Sequence, residues 1–488
     1  MRILLGDKMI PVRQINRLLG IALLVLMFTA PALAAVQPKY VFYFIGDGLG
    51  ASQRQFSEFF LREKTKDNTK ELLINTFDVA GINTTYCANT LITDSAAAGT
   101  ALASGVKTNK GVVGKDAAGN NVKTLTEAAR DKGMKTGLIT TTRLTHATPA
   151  AFASHNVSRN NENEIAQDFV KSNVDFFAGG GIRHFIPQKM KVEKGDAIGK
   201  TIKSKRKDDK NLVKEFQKKG YTTYIGMKGA KAFKNEDFKK KNKVFAAFTY
   251  THIPYEVERR NKYPEVPSLA AMTKAGIDVL SKGKKGFFMM IEGGRIDHAA
   301  HANDPTGVIY DTLAFDNAVQ VAFDFYKTHK NETLIVVVGD HETGGMGLGM
   351  DSMGYKLDMK SLLTTKVSVE DTLAYGAGQY KGDRAAYTNY LAKEFGLVNL
   401  TETEAARLEK AMAAADAGKT MGYYKVNPAA LTAARLLSER ANINWTTTIH
   451  TATMIPMSAT GVGAAKFGGY KDNTEIARMM ATMIGVTL

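Results

Sequence analysis

Five strand-like runs in this chain lead straight into glycine or into residues that can do chemistry. Tyr40-Val41-Phe42-Tyr43-Phe44-Ile45 ends at Gly46-Asp47-Gly48, and Lys135 to Thr140 leads to His146. Val174-Asp175-Phe176-Phe177-Ala178 ends at Gly179-Gly180-Gly181. Phe287-Phe288-Met289-Met290-Ile291 ends at Glu292, and Leu334-Ile335-Val336-Val337-Val338 ends at Gly339-Asp340-His341. Continuous apolar strands are buried on both faces, and helical stretches separate these. The pattern predicts an α/β fold, a three-layer α/β/α sandwich around a central, mostly parallel sheet. Helices are expected at Thr124 to Lys132, Val266 to Ser281 and Tyr310 to His329. In such sheets, ligands gather at the carboxyl ends of the strands, where these polar residues fall.

The repeated rhythm favours one large domain over residues 36–488, although 488 residues, 44% of them hydrophobic, would allow up to three. Two segments fit the rhythm poorly and read as insertions. One is lysine-rich, about 185–245. The other, 350–440, has Gly-rich turns and an Ala-rich helix near Glu402 to Ala417. Residues 1–35 carry Arg2, Lys8, Arg13 and Arg17, an apolar run from Leu18 to Ala30, and Ala32-Leu33-Ala34. They read as a secretory signal peptide cleaved after Ala34 or Ala35, beginning at Met1 or Met9. The mature protein is therefore expected to be exported, periplasmic or secreted, without a membrane span.

The net charge of +17 suggests nucleic acid until it is located. Residues 189–243 hold 19 Lys/Arg against 7 Asp/Glu, so the basicity is local. It reads as a solvated surface stretch rather than a polyanion site, and no nucleic-acid partner is required. The single cysteine, Cys87, excludes an intramolecular disulfide and reads as a small buried apolar residue.

Ser95 follows Asp94 and opens a run of small residues that reads as a helix start. A serine must be activated to react, and no histidine lies near it in sequence. Asp297 and His301 are four apart, so one helical turn puts both on one face. Carboxylate oxygen and imidazole nitrogen are ordinary zinc ligands. Asp340-His341 forms a second pair at a strand end, and Asp47 sits between glycines that permit a tight turn. The pattern points to a serine activated by metal ions.

The whole set resembles the alkaline phosphatase family. The matching pieces are Gly46-Asp47-Gly48, Asp94-Ser95, His146-Ala147-Thr148-Pro149, Ser158-Arg159, Glu292-Gly293-Gly294-Arg295-Ile296-Asp297-His298 with His301, Asp340-His341-Glu342-Thr343-Gly344-Gly345, and His450-Thr451. The resemblance implies hydrolysis of phosphate monoesters to an alcohol and inorganic phosphate, with Ser95 as the nucleophile that becomes phosphoserine. It implies Asp297, His301 and His450 as ligands of one zinc, and Asp47, Asp340 and His341 as ligands of a second. Asp47, Thr148 and Glu292 are implied for a magnesium, with His146 orienting its waters. Arg159 is the implied phosphate clamp, and His298 reaches the phosphate through water. A homodimer is implied as well, with an interface or lid in 350–440. His155, His184, His252 and His329 match no motif and read as surface or structural.

Two other readings stand beside this one. A phosphodiesterase or sulfatase could use the same scaffold, but Ser95 and Cys87 lack a sulfatase context, and Ser95 with Arg159 favours monoesters. A non-catalytic exported protein could bind phosphate or polyanions through the basic stretch.

Overall fold

The computed structural model describes residues 2–5, 8–11, 37–192, 202–351 and 354–488. The chain divides into two compact units, Met1–Gln37 and Pro38–Leu488. In the first, Arg2–Leu5 pairs antiparallel with Lys8–Pro11. The apolar run and Ala-x-Ala site of the expected signal peptide lie outside the described residues.

The second unit is built on a ten-stranded sheet. In chain order its strands are β1 (Tyr40–Gly46), β2 (Val79–Asn83), β3 (Lys135–Arg143), β4 (Phe176–Gly180), β5 (Thr222–Ile225), β6 (Val244–Ala247), β7 (Phe287–Glu292), β8 (Thr333–Gly339), β9 (Ile455–Gly461) and β10 (Gly469–Lys471). Their spatial order is β10-β2-β9-β8-β1-β7-β3-β4-β6-β5. Strand β9 runs antiparallel to both neighbours, and the other pairings are parallel. The sheet is thus mostly parallel, as the apolar runs predict.

Side chains alternate across a strand, so each central strand feeds two cores. From β1, Val41, Tyr43 and Ile45 enter one core with the helices Ser95–Ser104, Ala147–Ala153 and Asn473–Ile484. Tyr40, Phe42 and Phe44 enter the other, with Leu269–Leu280 and Pro305–Thr328. These two helical layers and the sheet make the α/β/α sandwich. The expected helices are present as Leu125–Asp131, Leu269–Leu280 and Pro305–Thr328. The last begins earlier than Tyr310 because Asp304 caps it through the N–H groups of Thr306 and Gly307, with Pro305 at its first position.

The lysine-rich stretch contributes the edge strand β5 and the start of its neighbour β6, rather than lying wholly outside the sheet. Residues from 350–440 form a third apolar cluster that includes Leu362, Leu391, Leu408 and Leu436 and reaches Phe56, Phe60 and Tyr310. The Ala-rich helix is Glu402–Asp416, closed at its start by a Thr401/Glu404 capping box. Cys87 is buried and unpaired, as read from sequence.

Candidate active site

The ends of β1, β7 and β8 lie side by side, because β1 pairs with both β7 and β8. This brings Asp47, Glu292 and Asp340 together from distant parts of the chain. Gly48 turns the backbone after β1 at φ +71°, a conformation glycine adopts without steric cost. Its N–H donates to Asp340 Oδ1 at 3.1 Å. A Cβ on Gly48 would meet the Asp297 Cα at 2.8 Å, so this glycine also permits close approach of the helix Arg295–His301.

Ser95 is the first residue of the helix Ser95–Ser104, and Asp94 is its N-cap. Asp94 Oδ1 accepts from the N–H groups of Ala97 and Gly111 at 3.1 and 2.9 Å. Its other oxygen accepts from Arg159 Nη1 at 2.9 Å. Burial opposes charge on both partners, but their mutual attraction wins: Asp94 sits below, and Arg159 above, its ordinary pKa. Arg159 Nη2 also lies 3.0 Å from His146 Nε2. The guanidinium is therefore held in one place at the pocket wall.

Ser95 Oγ lies 3.2 Å from His341 Nε2. That nitrogen lies 3.4 Å from Asp47 Oδ1 and 3.2 Å from Asp340 Oδ2. A second group is contiguous with this one, since the His341 and His450 rings stack with centroids 3.6 Å apart. Here Asp297 Oδ1 lies 3.4 Å from His301 Nε2 and 3.5 Å from His450 Nε2. The other ring nitrogens, Nδ1, donate to the Thr448 and Thr93 carbonyls at 2.6 and 2.8 Å. Those hydrogen bonds fix the tautomer that leaves each Nε2 lone pair facing inward. A third group joins Asp47, Glu292 and His146, with His146 Nδ1 at 4.0 Å from Asp47 Oδ2. Thr148 is buried in the first turn of Ala147–Ala153, which follows His146.

Each of the three His/Asp/Glu groups can converge its ligand atoms on one ion. Both Asp47 oxygens, Asp340 Oδ2, His146 Nδ1 and Thr148 Oγ1 are buried without a hydrogen-bond partner. Burial, then the Asp340, Asp297 and Glu292 carboxylates, drive Asp47 well above the ordinary range. Burial pushes Asp340 and Glu292 up to about 7. Burial acts on Asp297 too, but the His301 and His450 rings outweigh it and hold its carboxyl well below the usual range. Carboxylates packed this closely either take up protons or are neutralised by a bound cation. The donor types fit cations: two imidazoles with a carboxylate suit zinc, and the oxygen-rich Asp47, Glu292 and Thr148 set suits magnesium.

These groups open into a pocket of about 820 Å³ lined by Ser95, Arg159, His146, His298 and His301 among others. Three residues there carry no signal in the sequence. His252, read as surface or structural, is half-buried in the pocket wall, where its Nδ1 accepts from the Arg143 N–H at 3.3 Å and its ring lies edge-on to His298 with centroids 4.3 Å apart. Tyr423 and Tyr424 enter from the 350–440 segment. His298 is oriented by Arg295, whose Nη1 lies 2.8 Å from His298 Nδ1. Burial holds His146, His252 and His298 well below the ordinary histidine pKa, so all three are neutral. His155 and His184 serve structural contacts, with Glu127 and Asn163 respectively, and His329 stacks on Phe325.

Comparisons with known proteins point to one family. The family model described as "Alkaline phosphatase" matches residues 38–486. Alkaline phosphatase 3 of Bacillus subtilis is 33% identical over 90% of this chain and 87% of its own length. The repressible alkaline phosphatase of Saccharomyces cerevisiae is 30% identical over 93% of this chain and 83% of its own. Among solved structures, the Thermus thermophilus enzyme superposes with a TM-score of 0.77 at 27% identity, covering 94% of this chain and 95% of that one. The cold-active enzyme of a Shewanella species gives 0.74 at 27% identity, covering 91% and 99%. The chain belongs to the alkaline phosphatase family, and it is an alkaline phosphatase.

Proposed function

We propose that this phosphatase hydrolyses monoesters through a phosphoserine on Ser95, with two zinc ions and one magnesium. The observation that carries the reading is Ser95 Oγ, 3.2 Å from His341 Nε2 of the Asp47, Asp340 and His341 group and within the pocket that Arg159 lines. Asp297, His301 and His450 would hold one zinc. Asp47, Asp340 and His341 would hold the other. Asp47, Glu292 and Thr148 would hold magnesium, with His146 beside it. The TAB5 alkaline phosphatase structures with Mg in the M3 site are of variants in which a histidine is replaced by Asp or Glu, whereas the third group here keeps His146, so magnesium rests on the Asp47, Glu292 and Thr148 oxygens. When bound, these ions supply Lewis acidity and charge neutralisation, the main requirements of phosphoryl transfer.

The protein's own groups supply position. Ser95 Oγ gives up its proton to solvent and bonds to phosphorus as the P–O bond to the alcohol breaks, and the departing alkoxide takes a proton from water. Water then attacks the phosphoserine, phosphate departs, and Ser95 Oγ regains its proton. The N-terminus of Ser95–Ser104 adds a favourable dipole behind the phosphate. Arg159, fixed by Asp94, offers two parallel donors to phosphate oxygens. His298 bonds the phosphate through water. With Ser95 at the His341 side, an in-line displacement sends the leaving oxygen toward Asp297, His301 and His450.

Residues 1–35 are proposed as a cleaved signal peptide on an exported enzyme, with 36–488 as one catalytic domain that acts as a homodimer. Among the described residues no helix is long and apolar enough to cross a membrane. The test compares nitrophenyl phosphate with bis(nitrophenyl) phosphate, alongside metal analysis. A faster diester rate, or zinc-free active protein, overturns the reading.

A further inference from the structure

We infer that the leaving-group side of this pocket is built to receive an aromatic or other flat apolar alcohol moiety, with Tyr423 as the residue that selects it. The inference rests on the reading of Ser95 as nucleophile, which sends the leaving group toward Asp297, His301 and His450.

Large exposed apolar side chains gather on that side. Tyr423 is 56% exposed, Ile449 45% and Ile92 40%, and all three line the pocket. Ile449 immediately precedes His450. Ile92 precedes Thr93, whose carbonyl takes the His450 Nδ1–H. The Tyr423 ring stacks on His301 with centroids 4.3 Å apart and planes 13° from parallel. One face of the ring is spent on His301, and its exposure leaves the other to solvent. Elsewhere in the pocket Val157 is 66% exposed beside Ser158 and Arg159, and the Arg143 and Glu162 wall is polar and already satisfied. Those two side chains bond each other at 2.8 and 3.2 Å.

The ring is held before any ligand arrives. Gly422 turns the chain at φ +73°, Met421 and Val426 bridge behind it, and the Tyr423 N–H donates to Thr448 Oγ1 at 3.1 Å. Thr448 is the residue whose carbonyl orients His301, so the ring and that histidine are fixed to the same backbone. Tyr424 packs behind, its centroid 5.2 Å from that of Tyr423. A rigid aromatic face loses little freedom on binding, so stacking converts efficiently into affinity. An aliphatic polyol gains nothing from such a face.

The experiment compares 2-naphthyl phosphate with glycerol 2-phosphate, and phenylphosphonate with methylphosphonate as inhibitors, in the full chain and in Tyr423→Ala and Tyr423→Phe. Tyr423→Ala is expected to lose roughly 3- to 10-fold in kcat/KM on the naphthyl ester, with glycerol phosphate nearly unchanged. The phenylphosphonate inhibition constant should rise by a similar factor, the methylphosphonate constant should not, and Tyr423→Phe should behave as the parent. Equal losses on both esters and both phosphonates would overturn the inference and reduce Tyr423 to a support for His301. A changed oligomeric mass in Tyr423→Ala with unchanged phosphonate discrimination would also overturn it and assign the ring to an interface between copies. The phosphonates report binding alone. A chain that turns over neither ester yet binds phenylphosphonate more tightly than methylphosphonate refutes the hydrolase reading and leaves the aromatic site standing.

Discussion

His301 Nε2 and His450 Nε2 face each other at 3.1 Å while both Nδ1 atoms are committed to backbone carbonyls. Two inward lone pairs at that distance repel unless a proton or a metal ion lies between them and Asp297. Dialysis against a chelator should therefore abolish activity and lower Tm, and zinc should restore both. Saturating metal at about 100 times its Kd stabilises by about 2.7 kcal/mol, a shift that calorimetry resolves. His301→Ala and His450→Ala should each reduce bound zinc, measured by elemental analysis.

Ser95→Ala should remove turnover almost completely while leaving metal content and Tm near those of the parent, since Asp94 still caps the helix. An active Ser95→Ala protein would eliminate the covalent route. Arg159→Lys should behave nearly as badly as Arg159→Ala, with losses of roughly 10²-fold in kcat/KM, because a single ammonium does not reproduce the fork. Steady-state kinetics on nitrophenyl phosphate separates these cases.

Stability should fall with rising pH through one carboxyl remote from the metals. Glu258 is buried, and its Oε1 accepts from the Ser368 N–H, the Ser368 hydroxyl and the Thr372 hydroxyl at 2.6, 2.8 and 2.9 Å. Burial, and then Asp371, push its pKa up to about 7. A raised carboxyl favours the folded state fully below its unfolded pKa. That advantage is lost as pH rises from about 4.5 through about 7. Glu258→Gln keeps the acceptor without the charge and should flatten the decline in Tm across that window, by an amount on the order of 3 kcal/mol in total. An unchanged slope would show that Glu258 does not titrate there.

Gly48→Ala should destabilise the fold by roughly 1–3 kcal/mol through left-handed strain and contact with Asp297. Because Asp47 adjoins it, metal affinity should fall as well. Denaturant melts and zinc titration read the two effects independently.

The central strands and their terminal residues were legible because an apolar run followed by Asp, Glu or Gly signals both burial and a functional end. The strands β2, β9 and β10 were not, since sequences such as Val79–Asn83 and Gly469–Lys471 are short and mixed, and pairing rather than pattern makes them strands. In the site, paired ligands such as Asp297 and His301 announced themselves by spacing. His252 did not, because its place beside His298 depends on where the loop after β6 folds back. Tyr423 was equally silent, since an aromatic residue between Gly422 and Tyr424 reads as any surface turn. Arg295 was visible as part of a motif, but its hold on His298 and on Asp371 at 2.7 Å is a tertiary fact.

The antiparallel strand β9 follows His450 within a few residues and threads between β8 and β2. Its insertion is what draws His450 to the Thr93 carbonyl, 357 positions away in the chain. On the proposed assignment, the ligand set is complete only once this late segment has entered the sheet. If His450 holds zinc, a chain cut before β9 is expected to fold its central strands and yet hydrolyse no phosphate ester.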